Sequence, residues 1–157
     1  MSGSLTLGIG TQANNTPASV TTYAADPNSG EFVTTYANVA TPSFLDSGSN
    51  GIFFPAPASL IPVCANNTVV AGLFCPTSPV SLSATISDYT SKVSIPISFH
   101  ITSASAFVNA GFSVSDGMGA PASGIFDWGL PFFYGRTIFV GIDGTQSSLG
   151  AGPYWAF

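Results

Sequence analysis

Three observations predict an all-β fold with one or two short helices. Short stretches alternate polar and apolar residues with period two, most clearly Val93-Ser94-Ile95-Pro96-Ile97-Ser98-Phe99-His100-Ile101. The chain is punctuated by 17 Gly and 12 Pro, which favours many short strands over long helices. No window sustains a helical apolar stripe.

Taken in order, Ser4 to Gly10 alternates and reads as an opening strand within 3–10. Ser19 to Tyr23 and Phe32 to Tyr36 flank Asp26-Pro27-Asn28-Ser29-Gly30, a turn-forming run, so the two stretches are predicted to pair as a hairpin. Pro55-Ala56-Pro57-Ala58-Ser59-Leu60-Ile61 reads as one helical turn with its prolines early, where a missing N–H does least harm. Ser81 to Ile86 and Val93 to Ile101 are half-buried strands. Pro96 removes a backbone donor from the second, which suits a sheet edge or a bulge. Ser113 to Gly124 has no apolar stripe and is expected to be a mobile surface loop. Gly129 to Gly135 reads as a second helical turn.

At 157 residues the chain is one domain, 1–157, with the core expected over 19–157. Charged residues are only 6% of it, but hydrophobic residues are 45%, so low charge does not mean disorder here. Lys92 and Arg136 are the two cations in a net charge of -5. Phosphate binding draws on clustered Lys and Arg, so a nucleic-acid partner is excluded. Every apolar run is interrupted well short of the roughly 20 residues that span a bilayer, so no membrane span is expected. Met1-Ser2-Gly3 has no basic start or apolar stretch after it, and a signal peptide is absent from the sequence as it stands. The Ser/Thr/Asn-rich, Lys-poor composition and a possible Cys64–Cys75 bridge point to an oxidising compartment: secreted, periplasmic or cell-surface.

His100 is the lone histidine and is expected to point outward from its strand. With one His, and two Cys expected to pair, no zinc set is recognisable, and neither metal nor cofactor is expected. No Gly-x-Ser-x-Gly elbow frames a serine nucleophile.

Chemistry concentrates at Ser43-Phe44-Leu45-Asp46-Ser47-Gly48-Ser49-Asn50-Gly51-Ile52-Phe53-Phe54, where two apolar runs meet at a polar turn. A carboxylate in such surroundings must be hydrogen-bonded or have a task, because desolvating it unpaired is costly. Ser47, Ser49 and the N–H groups around Gly48 are the donors at hand. The bland alternative is an Asx-turn, with Asp46 capping local N–H groups.

Asp46-Ser47-Gly48-Ser49 resembles the Asp-Thr/Ser-Gly-Ser/Thr loop of pepsin-like and retroviral aspartic peptidases. Gly3-Ser4-Leu5-Thr6-Leu7-Gly8-Ile9-Gly10 resembles the strand and turn by which a pepsin-like chain enters its second lobe. Cys64 and Cys75 follow the Asp loop where that lobe carries a disulfide, though at shorter spacing, and Ile125 to Ile142 is similar to the lobe's closing segment. The wording Phe-Asp-Trp-Gly-Leu-Pro-Phe-Phe-Tyr-Gly-Arg, with the ending Gly-Pro-Tyr-Trp, looks closer still to an uncharacterised family of exported bacterial proteins, a domain of unknown function.

The resemblance implies a single lobe of a pepsin-like β-barrel, its opening strand of interlobe type. It implies that Asp46 is one catalytic carboxylate, that Gly48 allows the tight turn, that Ser47 bonds toward a partner lobe and that Ser49 orients Asp46. The chemistry needs two carboxylates sharing a proton, so the second Asp is expected from another lobe of the same polypeptide or from a homodimer mate. The isolated domain would then be inactive. Peptidases of this kind pack an apolar-apolar-Gly triplet beneath the loop, but here Phe126-Asp127-Trp128-Gly129 inserts an acid. Asp127 is a surface residue, a partner of Arg136 or a second functional carboxylate. Of these the Asp127–Arg136 ion pair is expected, since Arg136 follows on the same motif. Trp128, Phe132 and Tyr134 are candidate cleft residues, against the commoner role of such aromatics in a core.

Two functions follow: an aspartic-peptidase lobe hydrolysing peptide or protein substrates, or a noncatalytic exported module of the same fold that binds a peptide or protein partner. A third reading, a carbohydrate-binding β-sandwich, requires exposed aromatics.

Overall fold

The computed structural model describes residues 3–57 and 59–157. It is mostly β, with a curled half-barrel sheet and almost no helix. The strands in chain order are β1 (Thr22–Ala24), β2 (Phe32–Tyr36), β3 (Val39–Phe44), β4 (Ile52–Phe54), β5 (Val80–Ser87), β6 (Ser94–Ile101), β7 (Gly119–Pro121), β8 (Phe126–Asp127), β9 (Phe139–Gly141), β10 (Gln146–Ser147), β11 (Gly150–Ala151) and β12 (Tyr154–Ala156). One short helix, α1 (Ala104–Asn109), and 3-10 turns at Ala13–Asn15 and Leu130–Phe133 complete the elements. The main sheet has seven strands in the order β6-β5-β2-β3-β8-β4-β7; β1-β12-β9 and β10-β11 form smaller sheets.

The strongest sequence pattern gives the longest ladder. Antiparallel β5 and β6 pair from Val80↔Ile101 to Ser87↔Ser94, burying Ala84, Ile86, Ile97 and Ile101. Pro96 is exposed on β6, an edge strand, where its missing N–H leaves no ladder bond broken in the sheet's interior. Aromatic rings then form a continuous core. Phe74 meets Phe54, Phe54 stacks on Phe126 at 5.3 Å, and Phe126 meets Trp128 at 4.5 Å. Phe132 and Phe157 continue the series to Tyr23 on β1, tying the large sheet to the three-stranded one.

Pairing differs from the sequence reading at several places. The turn at Asp26 forms, with Gly30 N–H donating to Asp26 O at 2.8 Å. Its flanks do not pair with each other, because β1 joins the C-terminal β12 while β2 joins β3 and β5. The hairpin is instead β2–β3, turned by Ala37 and Asn38 at φ 49° and 64°, the two left-handed residues of a tight hairpin turn. Residues 3–10 form no strand, and Leu5 and Leu7 are 91% and 85% exposed. Among the described residues no strand pairs with 3–10 to supply the ladder bonds that the alternation requires.

Residues 117–120, expected in a mobile surface loop, are buried, and β7 pairs parallel with β4. Glycine here serves close approach: a Cβ on Gly119 would stand 2.4 Å from Ile52 O. Helix α1 carries no apolar stripe in sequence; it is a single short segment anchored by buried Ala104, whose N–H bonds Phe74 O. In 55–61 a turn forms, with Leu60 N–H and Ile61 N–H both donating to Pro57 O, while Ala58 lies outside the described residues. Met1 and Ser2 also lie outside them. The helical turn expected over 129–135 is the 3-10 turn Leu130–Phe133.

Candidate functional site

The Asp46 loop joins the ends of β3 and β4, and those two strands do not pair with each other. β8 lies between them, parallel to β3 (Ser43↔Phe126, Phe44↔Asp127) and antiparallel to β4 (Phe53↔Asp127). The loop therefore bridges over the end of a strand that arrives from far along the chain. Trp128 N–H donates to Phe44 O at 3.1 Å and Leu130 N–H to Ser49 O at 2.7 Å, so the segment leaving β8 ties down both the strand end and the loop.

Alternation along 126–128 sorts the side chains. Phe126 and Trp128 face the aromatic core, and Trp128 Nε1 donates to buried Thr34 Oγ1 at 3.0 Å. Asp127, between them, points the other way, toward the loop.

Asp46 is half-buried and held through both oxygens. Oδ1 accepts from Gly48 N–H at 2.7 Å and Oδ2 from Ser49 Oγ at 2.8 Å. Ser47 and Gly48 are exposed at the tip, and Asn50 Nδ2 donates to Ser113 O at 3.1 Å. Asp127 is 6% exposed, and its Oδ1 accepts from Gly129 N–H at 2.8 Å. Burial pushes the Asp127 carboxyl above the ordinary carboxylate range, as does the nearby Asp46 charge. The Gly129 N–H and the adjoining Ser49 hydroxyl pull back against them. Asp46, Ser49 and Asp127 thus form one cluster.

The expected Asp127–Arg136 ion pair is not made. Arg136 Nη1 donates to Phe132 O at 2.7 Å, and the guanidinium lies 4.4 Å over the Phe132 ring. Residue order misled here, because the 3-10 turn between the two residues carries Arg136 away from β8. Among the described residues the remaining ion pair is a surface one, His100 Nε2 to Asp116 Oδ1 at 3.8 Å, with His100 partly exposed as expected.

Trp128 and Phe132 are buried in the core instead of lining a cleft, because both belong to the aromatic series that joins the sheets. Tyr134 is half-buried. An open groove of about 380 Å³ does adjoin the loop at Asn50, lined by Val69, Leu73, Val108, Phe112 and Met118. Its residues come from three separated segments, and no local pattern marked them.

Cys64 and Cys75 form a disulfide, as expected. The bridge closes the segment leading to Phe74, whose N–H bonds Gly119 O at 2.8 Å. Among the described residues no three His, Cys, Asp or Glu gather as a metal site, and no helix is long and apolar enough to cross a membrane.

The family described as "Protein of unknown function (DUF3443)" matches residues 1–157, and the chain belongs to it. No curated protein and no solved structure matches the chain.

Proposed function

We propose that this member of the DUF3443 family is one lobe of an aspartic-peptidase-type hydrolase, with Asp46 as one carboxylate of a catalytic pair. The observation that carries the reading is the seating of the Asp46 loop. Strand β8 lies between the loop's two arms, while Gly48 N–H and Ser49 Oγ clasp the two carboxylate oxygens. An Asx-turn accounts for the Gly48 bond alone. It does not account for a half-buried carboxylate presented over an inserted strand beside a groove. The same strand-between-arms arrangement supports a pepsin-like lobe as the finer description of the fold.

In this reading the second carboxylate comes from another lobe or from a second copy, and the exposed Ser47 at the loop tip is free to bond across to it. One carboxylate acts as base on water while its protonated partner polarises the scissile carbonyl. The apolar groove beside Asn50 suits a side chain of an extended peptide or protein substrate. Exposed Val140 and Ile142, beside the segment holding Gly8 and Ile9, suit coverage by the second lobe. The disulfide favours a secreted, periplasmic or cell-surface location.

The alternative is a noncatalytic exported module that binds a peptide or protein in the same groove. It is favoured by the burial of Trp128 and Phe132, which leaves fewer aromatics to grip a substrate. Hydrolysis of a denatured protein substrate by the full-length protein across acidic pH separates the two. The peptidase reading expects cleavage that falls by about 10²–10⁴-fold in Asp46→Asn. Peptide binding without cleavage, unchanged by Asp46→Asn, would establish the binding module.

A further inference from the structure

We propose that residues 4–7 of one copy of this chain add as a strand to the free edge of β9 in a second copy, reciprocally about a two-fold axis. The exchange makes a second copy the cover over Val140 and Ile142, and it depends on sheet edges, not on the role of Asp46.

Hydrogen-bond alternation locates the open edge. Thr21 N–H donates to Phe157 O at 3.1 Å and Phe157 N–H to Thr21 O at 3.3 Å, so Thr21 with Phe157, and Tyr23 with Trp155 two residues along, are the bonded pairs of β1 and β12. Tyr154 and Ala156 are left to bond Gly141 and Phe139 of β9. Val140, between those two, turns its N–H and C=O outward, where no backbone group meets them among the described residues. Val140 is 48% exposed and Ile142 68%.

The other outer edges of the two larger sheets are guarded. Pro96 removes a donor from β6 and Pro121 one from β7, whose Gly119 O also takes the Phe74 N–H. On β1, Ala24 O accepts from Tyr89 N–H at 2.9 Å. From Thr137 to Ile142 there is neither a proline nor a charge, so β9 alone of these four edges lies open.

The matching strand is in the same chain. Ser4-Leu5-Thr6-Leu7 alternates, carries no charge or proline, and leaves both leucines almost wholly exposed. Its base is firmly built. Asn15, 4% exposed, accepts from Thr11 and Gln12 N–H through Oδ1 and donates from Nδ2 to Thr11 Oγ1 and to Leu7 O at 3.2 Å, while Ile9 packs on Phe139, Tyr154 and Ala156. These tethers hold residues 4–6 off their own β9, with which they form no ladder. Each copy thus offers one unpaired strand and one open edge, and a single two-fold operator satisfies both. With Leu5 and Leu7 on the face of Val140 and Ile142, addition covers all four side chains together.

The test is sedimentation velocity of the protein from low micromolar to near-millimolar concentration, with amide exchange at Val140 followed in the same samples. A monomer–dimer equilibrium is expected, and Val140 N–H should gain protection as the dimer fills. The Leu5→Lys, Leu7→Lys double variant should weaken dimerisation by about tenfold or more, since charge blocks edge pairing. Val140→Pro should do the same while keeping the β9–β12 ladder, because the N–H it removes points outward. Leu60→Lys, at another exposed apolar site, should leave dimerisation unchanged. A protein monomeric throughout, a dimer indifferent to the leucine changes, or one weakened equally by Leu60→Lys would overturn the exchange. So would Val140 protection independent of concentration, since the edge would then be covered by its own chain. A dimer that hydrolyses nothing leaves the exchange standing, and hydrolysis by a protein that stays monomeric removes the exchange alone.

Discussion

Gly129 and Gly51 approach so closely that a Cβ on Gly129 would lie 1.8 Å from the Gly51 carbonyl oxygen, with Ser49 O another 3.2 Å contact. The contact joins the far end of the Asp46 loop to the strand beneath it. Gly129 also has φ +39°, a left-handed conformation that side chains disfavour. Gly129→Ala therefore meets steric and torsional penalties together, and neither neighbour can yield because both are backbone. The expected result is a loss on the order of 4 kcal/mol or more, seen as a collapse of the urea midpoint or as insoluble protein. Near-normal stability would mean that the loop is not seated on β8 as described.

The disulfide has a more ordinary effect. Cys64 and Cys75 are 11 residues apart, so their bridge restrains a short segment of the unfolded chain. Replacing both with Ser should cost about 2–3 kcal/mol. For a chain of this size that lowers Tm by roughly 5–10 °C. Calorimetry of wild type with and without reductant, compared with the double variant, measures it directly.

Asp88 and Asp127 should respond to acid with opposite signs. For Asp88, burial raises the pKa, but the Thr90 hydroxyl and the N–H groups of Val93, Lys92 and Thr90 outweigh it, and the net direction is down. Its stabilisation is present above the unfolded-state carboxylate pKa and is lost as pH falls through the folded value. Asp88→Ala leaves the Lys92 and Val93 N–H groups of the β5–β6 turn without their acceptor. A cost of about 1–3 kcal/mol is expected at neutral pH, narrowing in acid as wild type loses its own contribution.

Asp127 is raised, chiefly by burial, so its favourable contribution is complete below the unfolded-state pKa and disappears as pH rises through the folded one. Asp127→Asn mimics the protonated acid at every pH. It should match or exceed wild-type stability at neutral pH and lose that advantage on acidification. Paired urea titrations of the Asp88 and Asp127 variants at neutral and acidic pH give the two slopes side by side.

Local chemistry was legible wherever a residue's partners lie close in sequence. Strands β5 and β6 show in the alternation of Ser81 to Ile86 and Val93 to Ile101, the turn at Asp26 in its Asp-Pro-Asn-Ser-Gly wording, and Pro96 in its fitness for an edge. Asp46, Gly48 and Ser49 could be singled out because the clasp spans four residues. The β2–β3 hairpin escaped notice because its turn uses Ala37 and Asn38 with no Gly. The buried run at 117–120 escaped because glycines that permit close strand approach look, in sequence, like glycines that permit flexibility.

By itself, then, the sequence determined an all-β chain with few charges, a short disulfide-closed segment and a carboxylate on a tight polar turn. Composition, period and neighbouring donors are local properties, and they suffice for these. Only the tertiary structure decided that β1 leaves β2 for the C-terminal strand and that Trp128 and Phe132 belong to the core. It alone turned Asp127 toward Ser49 and away from Arg136. Asp127 is 81 residues from Asp46, and its surroundings depend on β8 entering between β3 and β4. That choice is made by the packing of Phe126 and Trp128 against Phe54 and Phe99, a long-range hydrophobic term that no window of sequence contains.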